Sequence, residues 1–334
     1  MELPAISVII PVRNEGPFIA QTLRAIIAQD YPKDLLEILV VDGMSEDHTV
    51  AAVESLATSC GSLRLYPNPA RISSAARNIG VRNSTGDIVL FIDGHVHIGN
   101  DQILKQTARL MHDRNVSVLS RPQFLETPGN APLQNTIAYA RRSWFGHGLD
   151  STIFLNRDAY VGPASSGAAY RREVFEQVGY FDEHFDASED YEFNYRLQLA
   201  GYKSFTSPAL AVYYYPRATF RGLFRQMYRY GLGRFRLARK HPSTISPASL
   251  APAVLTLGLA FLPMAVATRT LPMPIALLSM VYPLFVVLFA LRIAFHKGAA
   301  HFPPLLLVFP TIHVGLGIGY LAGFLETVAS RRFK

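Results

Sequence analysis

Between residues 5 and 92, four short apolar runs alternate with three stretches whose apolar residues recur at helical spacing. Residues 5–11 form the first run, β-branched and closed by a proline, as in a strand buried on both faces. In residues 17–29, Phe18, Ile19, Leu23, Ile26 and Ile27 fall on one side of a helix. Residues 37–41 make the second run and residues 45–58 a second helix. Residues 62–66, 73–83 and 87–92 read as strand, helix and strand. A strand–helix–strand unit crosses over right-handed, and its repetition predicts an α/β fold with a doubly wound, mostly parallel sheet. Ligands of such sheets sit beyond the carboxyl ends of the strands. Three polar clusters fall there: Arg13-Asn14-Glu15, Asp42-Gly43-Met44-Ser45 and Asp93-Gly94-His95.

The third cluster carries the most chemistry. If the strand continues through it, Asp93 and His95 lie two residues apart on one face. A carboxylate and an imidazole together suit a divalent cation, manganese at least as well as magnesium. The plainer reading is a polar turn with both side chains solvated. The first strand is followed by no Gly-x-Gly-x-x-Gly, and there is no Walker lysine motif, which argues against a dinucleotide. A nucleotide held through a metal on its diphosphate fits better. Asp42 has an alternative use as a cap for the helix opening at Ser45. Further on, Ser188 reads as the N-cap of a helix over 191–200. Acids at a helix start are favoured by its dipole. That accounts for one acid more readily than for Asp186, Glu189, Asp190 and Glu192 together.

Composition matters for the second half. Hydrophobic residues make up 49% of the 334, and the surplus lies after Ser249. Stretches 250–267, 272–291 and 302–325 approach the length that spans a bilayer, with Arg269 and residues 292–297 between them. The net charge of +7 suits nucleic acid, anionic lipid or a phosphorylated substrate. Arg217, Arg221, Arg225 and Arg229 are four apart and form a basic stripe, with Phe220, Phe224 and Tyr230 interleaved. Such a helix suits a membrane interface. A nucleic-acid groove mixes the same residue types, but the apolar tail favours the membrane. The single cysteine, Cys60, excludes an intramolecular disulfide. The apolar run at residues 7–10 is too short for a secretory signal.

Four motifs in order, Ser7-Val8-Ile9-Ile10-Pro11-Val12-Arg13-Asn14-Glu15, Val41-Asp42-Gly43-Met44-Ser45-Glu46-Asp47-His48-Thr49, Ala76-Arg77-Asn78-Ile79-Gly80 and Asp93-Gly94-His95, resemble those of the family 2 glycosyltransferases. The resemblance implies a Rossmann-like GT-A catalytic domain over residues 1–215. A basic interfacial helix over 216–245 and transmembrane helices over 249–327 would follow. It implies that Pro11, Arg13, Glu15 and Asp42 contact the nucleoside and that Arg77 lies near the donor. Asp93 and His95 would stand in the place of the family's Asp-x-Asp, binding the donor through Mn2+ or Mg2+. Glu189-Asp190 resembles the family's Glu-Asp pair, with Asp190 as general base and Glu189 orienting or binding the acceptor. Loop 162–167 stands where the family binds acceptor or donor sugar. Gln226, Arg229 and Tyr230 resemble a Gln-x-x-Arg-Trp motif that closes over acceptor and diphosphate, with tyrosine in the tryptophan's place.

The implied activity is inverting transfer of a hexose from a nucleoside-diphosphate sugar, UDP-glucose-like, to a lipid-linked polyprenyl saccharide in exopolysaccharide or cell-surface glycan synthesis. The implied setting is multi-pass in the inner membrane, catalytic domain cytoplasmic, with other glycan-assembly enzymes as partners and no nucleic acid. Three crossings would leave Arg331, Arg332 and Lys334 outside, against the positive-inside rule. The alternatives are a polyprenyl-phosphate glycosyl synthase, a processive polysaccharide synthase and a non-catalytic membrane scaffold that binds nucleotide. Three apolar stretches are few for the translocation channel of a processive enzyme.

Overall fold

The structure, a computed structural model, describes residues 2–127, 131–147, 152–267 and 273–332. The chain divides into two compact units. One comprises Met1–Phe124 and Asp150–Tyr214, the other Leu125–Leu149 and Tyr215–Lys334.

The first unit begins as the apolar runs predict. Strands β1 (Ile6–Val12), β2 (Leu36–Asp42), β3 (Leu63–Pro67) and β4 (Ile88–Phe91) are parallel, and β1 lies between β2 and β4. Helices α1 (Gly16–Ile27), α2 (Thr49–Ala57) and α3 (Ser73–Arg82) connect them. Both sheet faces are covered, which is why the strands read as continuous apolar runs rather than alternating ones. Val8, Ile10, Ile38 and Val40 share a core with Ile19, Leu23 and Ile26 of α1. The intervening Ile9, Leu39 and Val41 share another with Ala76 and Val81 of α3.

Beyond β4 come β5 (Val96–His97), α4 (Ile103–Asp113), β6 (Val118–Ser120) and β7 (Gln123–Leu125). Helices α5 (Pro132–Arg142) and α6 (Trp144–His147) belong to the second unit. The first unit resumes with β8 (Ala159–Val161), β9 (Gly167–Arg171), α7 (Glu173–Val178), α8 (Glu189–Leu199), β10 (Ser204–Thr206) and β11 (Val212–Tyr214). The main sheet runs β3-β2-β1-β4-β9-β6-β10-β8, and β5-β11-β7 form a small second sheet. Strand β9 is antiparallel to both β4 and β6. Its first residue, Gly167, therefore sits at the edge where β4 and β6 end.

Local details correct the sequence reading. The helix expected from Ser45 begins at Thr49, because Ser45 is engaged by the Asp42 carboxylate. Ser188 does precede α8, but it is left-handed (φ 62°) and its side chain makes no cap bond. Its carbonyl accepts from Glu192 N at 3.0 Å.

The second unit is helical, with α9 (Phe220–Lys240), α10 (Pro247–Ala267), α11 (Met273–Lys297) and α12 (Phe302–Arg332). Thr219 caps α9, its hydroxyl accepting from Gly222 N at 3.0 Å. Leu223 and Met227 of α9 join Leu305, Val308, Phe309 and Ile312 of α12 in a core that also takes Ile137 and Ala140 of α5. Where α9 meets α12, a Cβ on Gly231 would overlap the Leu316 carbonyl oxygen, and one on Gly319 that of Tyr228. The two backbones touch, which only glycine permits. Arg217, Arg221, Arg225 and Arg229 are all exposed. Among the described residues one helix, Ala299–Ala329, is long and apolar enough to cross a membrane, and Pro247–Phe261 is a shorter apolar helix. Arg269 and Pro272, expected to separate and open the spans, lie outside the described residues.

Candidate active site

The loops after β1 and β2 are built into each other. Asn14 N donates to Ser45 Oγ at 2.8 Å, and Glu46 N donates to Asn14 Oδ1 at 2.9 Å. Asp42 accepts from Ser45 twice, from its N at 2.9 Å and its hydroxyl at 2.5 Å. Glu15 N donates to Thr49 Oγ1 at 2.8 Å, and Gly16 N to Asp47 Oδ2 at 3.1 Å. Asp42 thus organises its own loop, and its alternative as a helix cap is not realised. Pro11 is half-buried and Arg13 exposed at the same edge. Among the described residues, the non-glycine positions in the left-handed region are Asn14, Met44, Arg71, Asn115 and Ser188. All but Asn115 lie in the loop after β1, β2 or β3 or directly before α8. Each such residue costs about 1–3 kcal/mol, so the strain is concentrated around the strand ends.

Asp93 and His95 do not share one strand face. Strand β4 stops at Phe91, and the chain turns through Gly94 and His95 into β5. A Cβ on Gly94 would come 2.8 Å from Val12 Cγ1 and 3.3 Å from Glu15 Cγ, so the turn lies directly on the β1 loop. The two side chains take different partners. Asp93 Oδ2 accepts from the Tyr214 hydroxyl at 2.5 Å, and Oδ1 lies 3.7 Å from Arg77 Nη2. His95 Nδ1 lies 2.9 Å from Glu15 Oε1, with its ring edge-on to Tyr214 at 5.8 Å. Tyr214 arrives on β11, paired with Val96. It stands 121 residues from Asp93, and no sequence signal marks it. Burial raises the pKa of Asp93, but Arg77, His95, the Tyr214 hydrogen bond and Arg121 together outweigh it and hold it below the usual value.

Arg77 ties this turn to the start of α8. Its side chain is only 12% exposed, and its Nε lies 3.4 Å from Glu189 Oε1. The guanidinium stacks over Phe91 at 4.9 Å and Phe181 at 5.5 Å. Burial opposes its charge, but Glu189, Asp93 and Asp190 outweigh burial and raise its pKa above the ordinary arginine value. Asp190 behaves oppositely. It keeps an exposed surface, yet it is ringed closely by protein. Desolvation, then repulsion from Glu189, push its pKa up to about 6, against the pull of Arg77 and the Tyr191 N–H. Glu192, grouped with these acids in the sequence, is fully buried and bonded to Arg196 at 3.0 Å, which makes it structural. Arg121 was also not anticipated. It is 4% exposed and donates to the Phe91 carbonyl at 2.8 Å, two residues before Asp93.

Among the described residues no group of three or more His, Cys, Asp or Glu side chains could hold a metal alone. Asp93 and His95 supply a carboxylate and an imidazole, donor types that bind a divalent cation when phosphate oxygens and water complete the set. A proton on Nδ1 directed at the Glu15 carboxylate would leave the His95 lone pair on Nε2.

In the second unit, Gln226 donates to the Tyr230 hydroxyl at 3.3 Å and accepts from Arg141 Nη1 at 3.3 Å. Arg141 lies over the Tyr230 ring at 6.0 Å. Arg229 is on the exposed basic stripe. The structure therefore brings Gln226 and Tyr230 together with an arginine that the motif did not include.

Residues 7–179 match the family described as Glycosyl transferase family 2. The chain is similar to the Succinoglycan biosynthesis protein ExoA of Rhizobium meliloti (strain 1021), 31% identical over 70% of each chain. It is 26% identical to a Methanococcus voltae protein over 70% of this chain and 74% of that one. That protein is named Dolichyl N-acetyl-alpha-D-glucosaminyl phosphate 3-beta-D-2,3-diacetamido-2,3-dideoxy-beta-D-glucuronosyltransferase. The fold of the present chain is shared with mannosyltransferase PcManGT of Pyrobaculum calidifontis, solved with GDP-Man and Mn2+. The TM-score is 0.63 at 22% identity, covering 98% of this chain and 88% of that one. It is shared too with residues 1–349 of S. aureus TarS in complex with UDP-GlcNAc, TM-score 0.52 at 19% identity, covering 95% and 92%.

Proposed function

Because the chain belongs to glycosyl transferase family 2, we propose that it is an inverting, cation-dependent hexosyltransferase. Its donor would be a UDP-linked sugar and its acceptor a lipid-linked saccharide of exopolysaccharide or surface-glycan assembly. The observation that carries this reading is Asp190. It is a carboxylate at the start of α8 whose pKa is pushed up to about 6, next to Glu189, which Arg77 links to Asp93.

In the reaction, an acceptor hydroxyl oxygen attacks the anomeric carbon while the bond from that carbon to the diphosphate oxygen breaks. Asp190 takes the hydroxyl proton, and the nucleoside diphosphate leaves with the electron pair. A general base ionised just below neutral pH is matched to that work. Glu189, held by Arg77, orients the acceptor. Pro11, Arg13 and Asp42 stand at the strand-end edge where a nucleoside would lie. When bound, a divalent cation on Asp93 and His95 would neutralise charge on the diphosphate.

Residues 1–215 serve as the catalytic domain on the cytoplasmic side of the inner membrane. Residues 216–245 lie in the interface, and 249–327 anchor the chain. The apolar helix Ala299–Ala329 and the exposed arginines of α9 support this. So does the Methanococcus voltae relative, a glucuronosyltransferase whose name includes a dolichyl-linked sugar phosphate. Gln226, Arg229 and Tyr230 act toward the acceptor and donor diphosphate. The test is release of nucleoside diphosphate from a panel of UDP- and GDP-sugars by the full chain in native membranes. The reading expects one donor to be consumed with Mn2+ or Mg2+ and Asp190→Asn to abolish consumption. Turnover of none, in wild type, would overturn it. Substantial turnover in Asp190→Asn would point instead to a phosphate acceptor, which needs less from a base.

A further inference from the structure

The resemblance that places Glu15 against the nucleoside leaves one contact unaccounted for. The Glu15 carboxylate is bonded to an imidazole, and its surroundings hold it there. Its backbone is fixed on three sides: Glu15 N donates to Thr49 Oγ1, its carbonyl accepts from Phe18 N and Ile19 N at 2.9 Å each, and Asn14 before it is locked to Ser45 and Glu46. Its Cβ and Cγ lie beside the glycine between Asp93 and His95, and the Cβ of an alanine there would come within 3.3 Å of Glu15 Cγ. The side chain then ends 2.9 Å from His95 Nδ1 and is one-fifth exposed. On the other side of the same turn, Tyr214 donates to Asp93. Asp93 and His95 are thus each contacted by groups from distant parts of the chain, Asp93 by Tyr214 and Arg77 and His95 by Glu15.

We propose that Glu15 is a positioning residue for a divalent-cation site. By accepting the Nδ1 proton it fixes the His95 ring and tautomer so that Nε2 points its lone pair at the ion, while Tyr214 fixes the Asp93 carboxylate. This rests on the cation reading above and assigns Glu15 away from the nucleoside. A carboxylate on the far nitrogen of a ligating histidine sets ring orientation and raises its basicity. Loss of such a partner typically weakens metal affinity 10–100-fold.

The experiment measures Mn2+ affinity of the full chain in detergent by electron paramagnetic resonance of free Mn2+, with saturating UDP. Metal-free UDP binding is measured separately, by equilibrium dialysis in EDTA. His95→Ala, Glu15→Ala, Glu15→Gln and Tyr214→Phe are compared, with thermal unfolding as the check on folding. Glu15→Ala should weaken Mn2+ binding 10–100-fold and leave metal-free UDP binding unchanged. Glu15→Gln, whose carbonyl still accepts from Nδ1, should recover most of the affinity. Tyr214→Phe should weaken Mn2+ binding less than His95→Ala does. If His95→Ala weakens Mn2+ binding and Glu15→Ala does not, the role given to Glu15 is wrong. If Glu15→Ala instead lowers metal-free UDP binding, Glu15 is a nucleoside contact. If His95→Ala leaves Mn2+ affinity at the wild-type value, the cation site itself is misplaced and the inference falls with it.

Discussion

A carboxylate in the first turn of a helix is ordinarily easy to ionise, because the positive end of the dipole faces it. Asp190 departs from that rule because desolvation and the Glu189 charge outweigh Arg77 and the Tyr191 N–H. Two outcomes follow. First, kcat/KM should fall as pH drops through about 6, where Asp190 takes up a proton, and Asp190→Asn should lower kcat by about 10²–10⁴. The pH–rate profile and single-turnover transfer check both. Second, the sign of the stability effect is opposite to that of a salt-bridged acid. The native pKa lies above the unfolded one, so between the unfolded value near 4 and the native value near 6 the folded chain binds more protons. Stability therefore declines over that window as pH rises. Asp190→Asn should raise the unfolding temperature at pH 7.5, and the gain should vanish near pH 4. Equal unfolding temperatures for the two proteins at pH 7.5 would contradict the assignment. Arg77 is the counterpart. Arg77→Met leaves the buried Glu189 and the half-buried Asp93 without their shared cation and should cost about 3–5 kcal/mol in chemical denaturation.

At the scale of elements, the helical unit depends on close approach. Valine at Gly231 would drive its side chain into the Leu316 carbonyl. Gly231→Val should therefore destabilise the α9–α12 pair by more than the 1–3 kcal/mol usual for overpacking. Faster tryptic cleavage at the arginines of α9 in detergent would register it. The helix itself was legible, because Arg221, Arg225 and Arg229 at a spacing of four and the interleaved aromatics have a helical period; Arg217, expected on the same stripe, lies before the helix starts at Phe220. Its partner was not, since nothing in the spacing of Gly315, Gly319 and Gly323 says which helix they face. The same division runs through the first unit. The parallel strands could be read because strands buried on both faces are continuous apolar runs. The antiparallel direction of β9 could not, because strand polarity leaves no mark on hydrophobic pattern.

For the whole molecule, charge and hydropathy act together. An apolar helix of membrane length in a unit that also presents Arg217, Arg221, Arg225 and Arg229 should bind bilayers in two ways. Flotation with vesicles containing anionic lipid should exceed that with neutral vesicles at low salt, and the difference should shrink at 1 M salt, where charges are screened within about 3 Å. Retention in native membranes after a high-salt wash should persist, since burial of α12 does not depend on salt. Release by salt alone would mean that the chain is held only at the surface.

Local chemistry made much of this readable from the chain alone. Apolar period, proline and glycine placement, and the order of four short motifs are properties of consecutive residues, and they carried the α/β class, the strand-end loops and the candidate acids. Partnership between distant residues is a different kind of fact. The hydroxyl of Tyr214 on Asp93, the carboxylate of Glu15 on His95, and the arrangement of Arg77 between Asp93 and Glu189 depend on where strands and helices come to rest in space. Electrostatics follows distance in three dimensions rather than along the chain. The acids could therefore be picked out as letters, while the raised pKa of Asp190 was settled by packing.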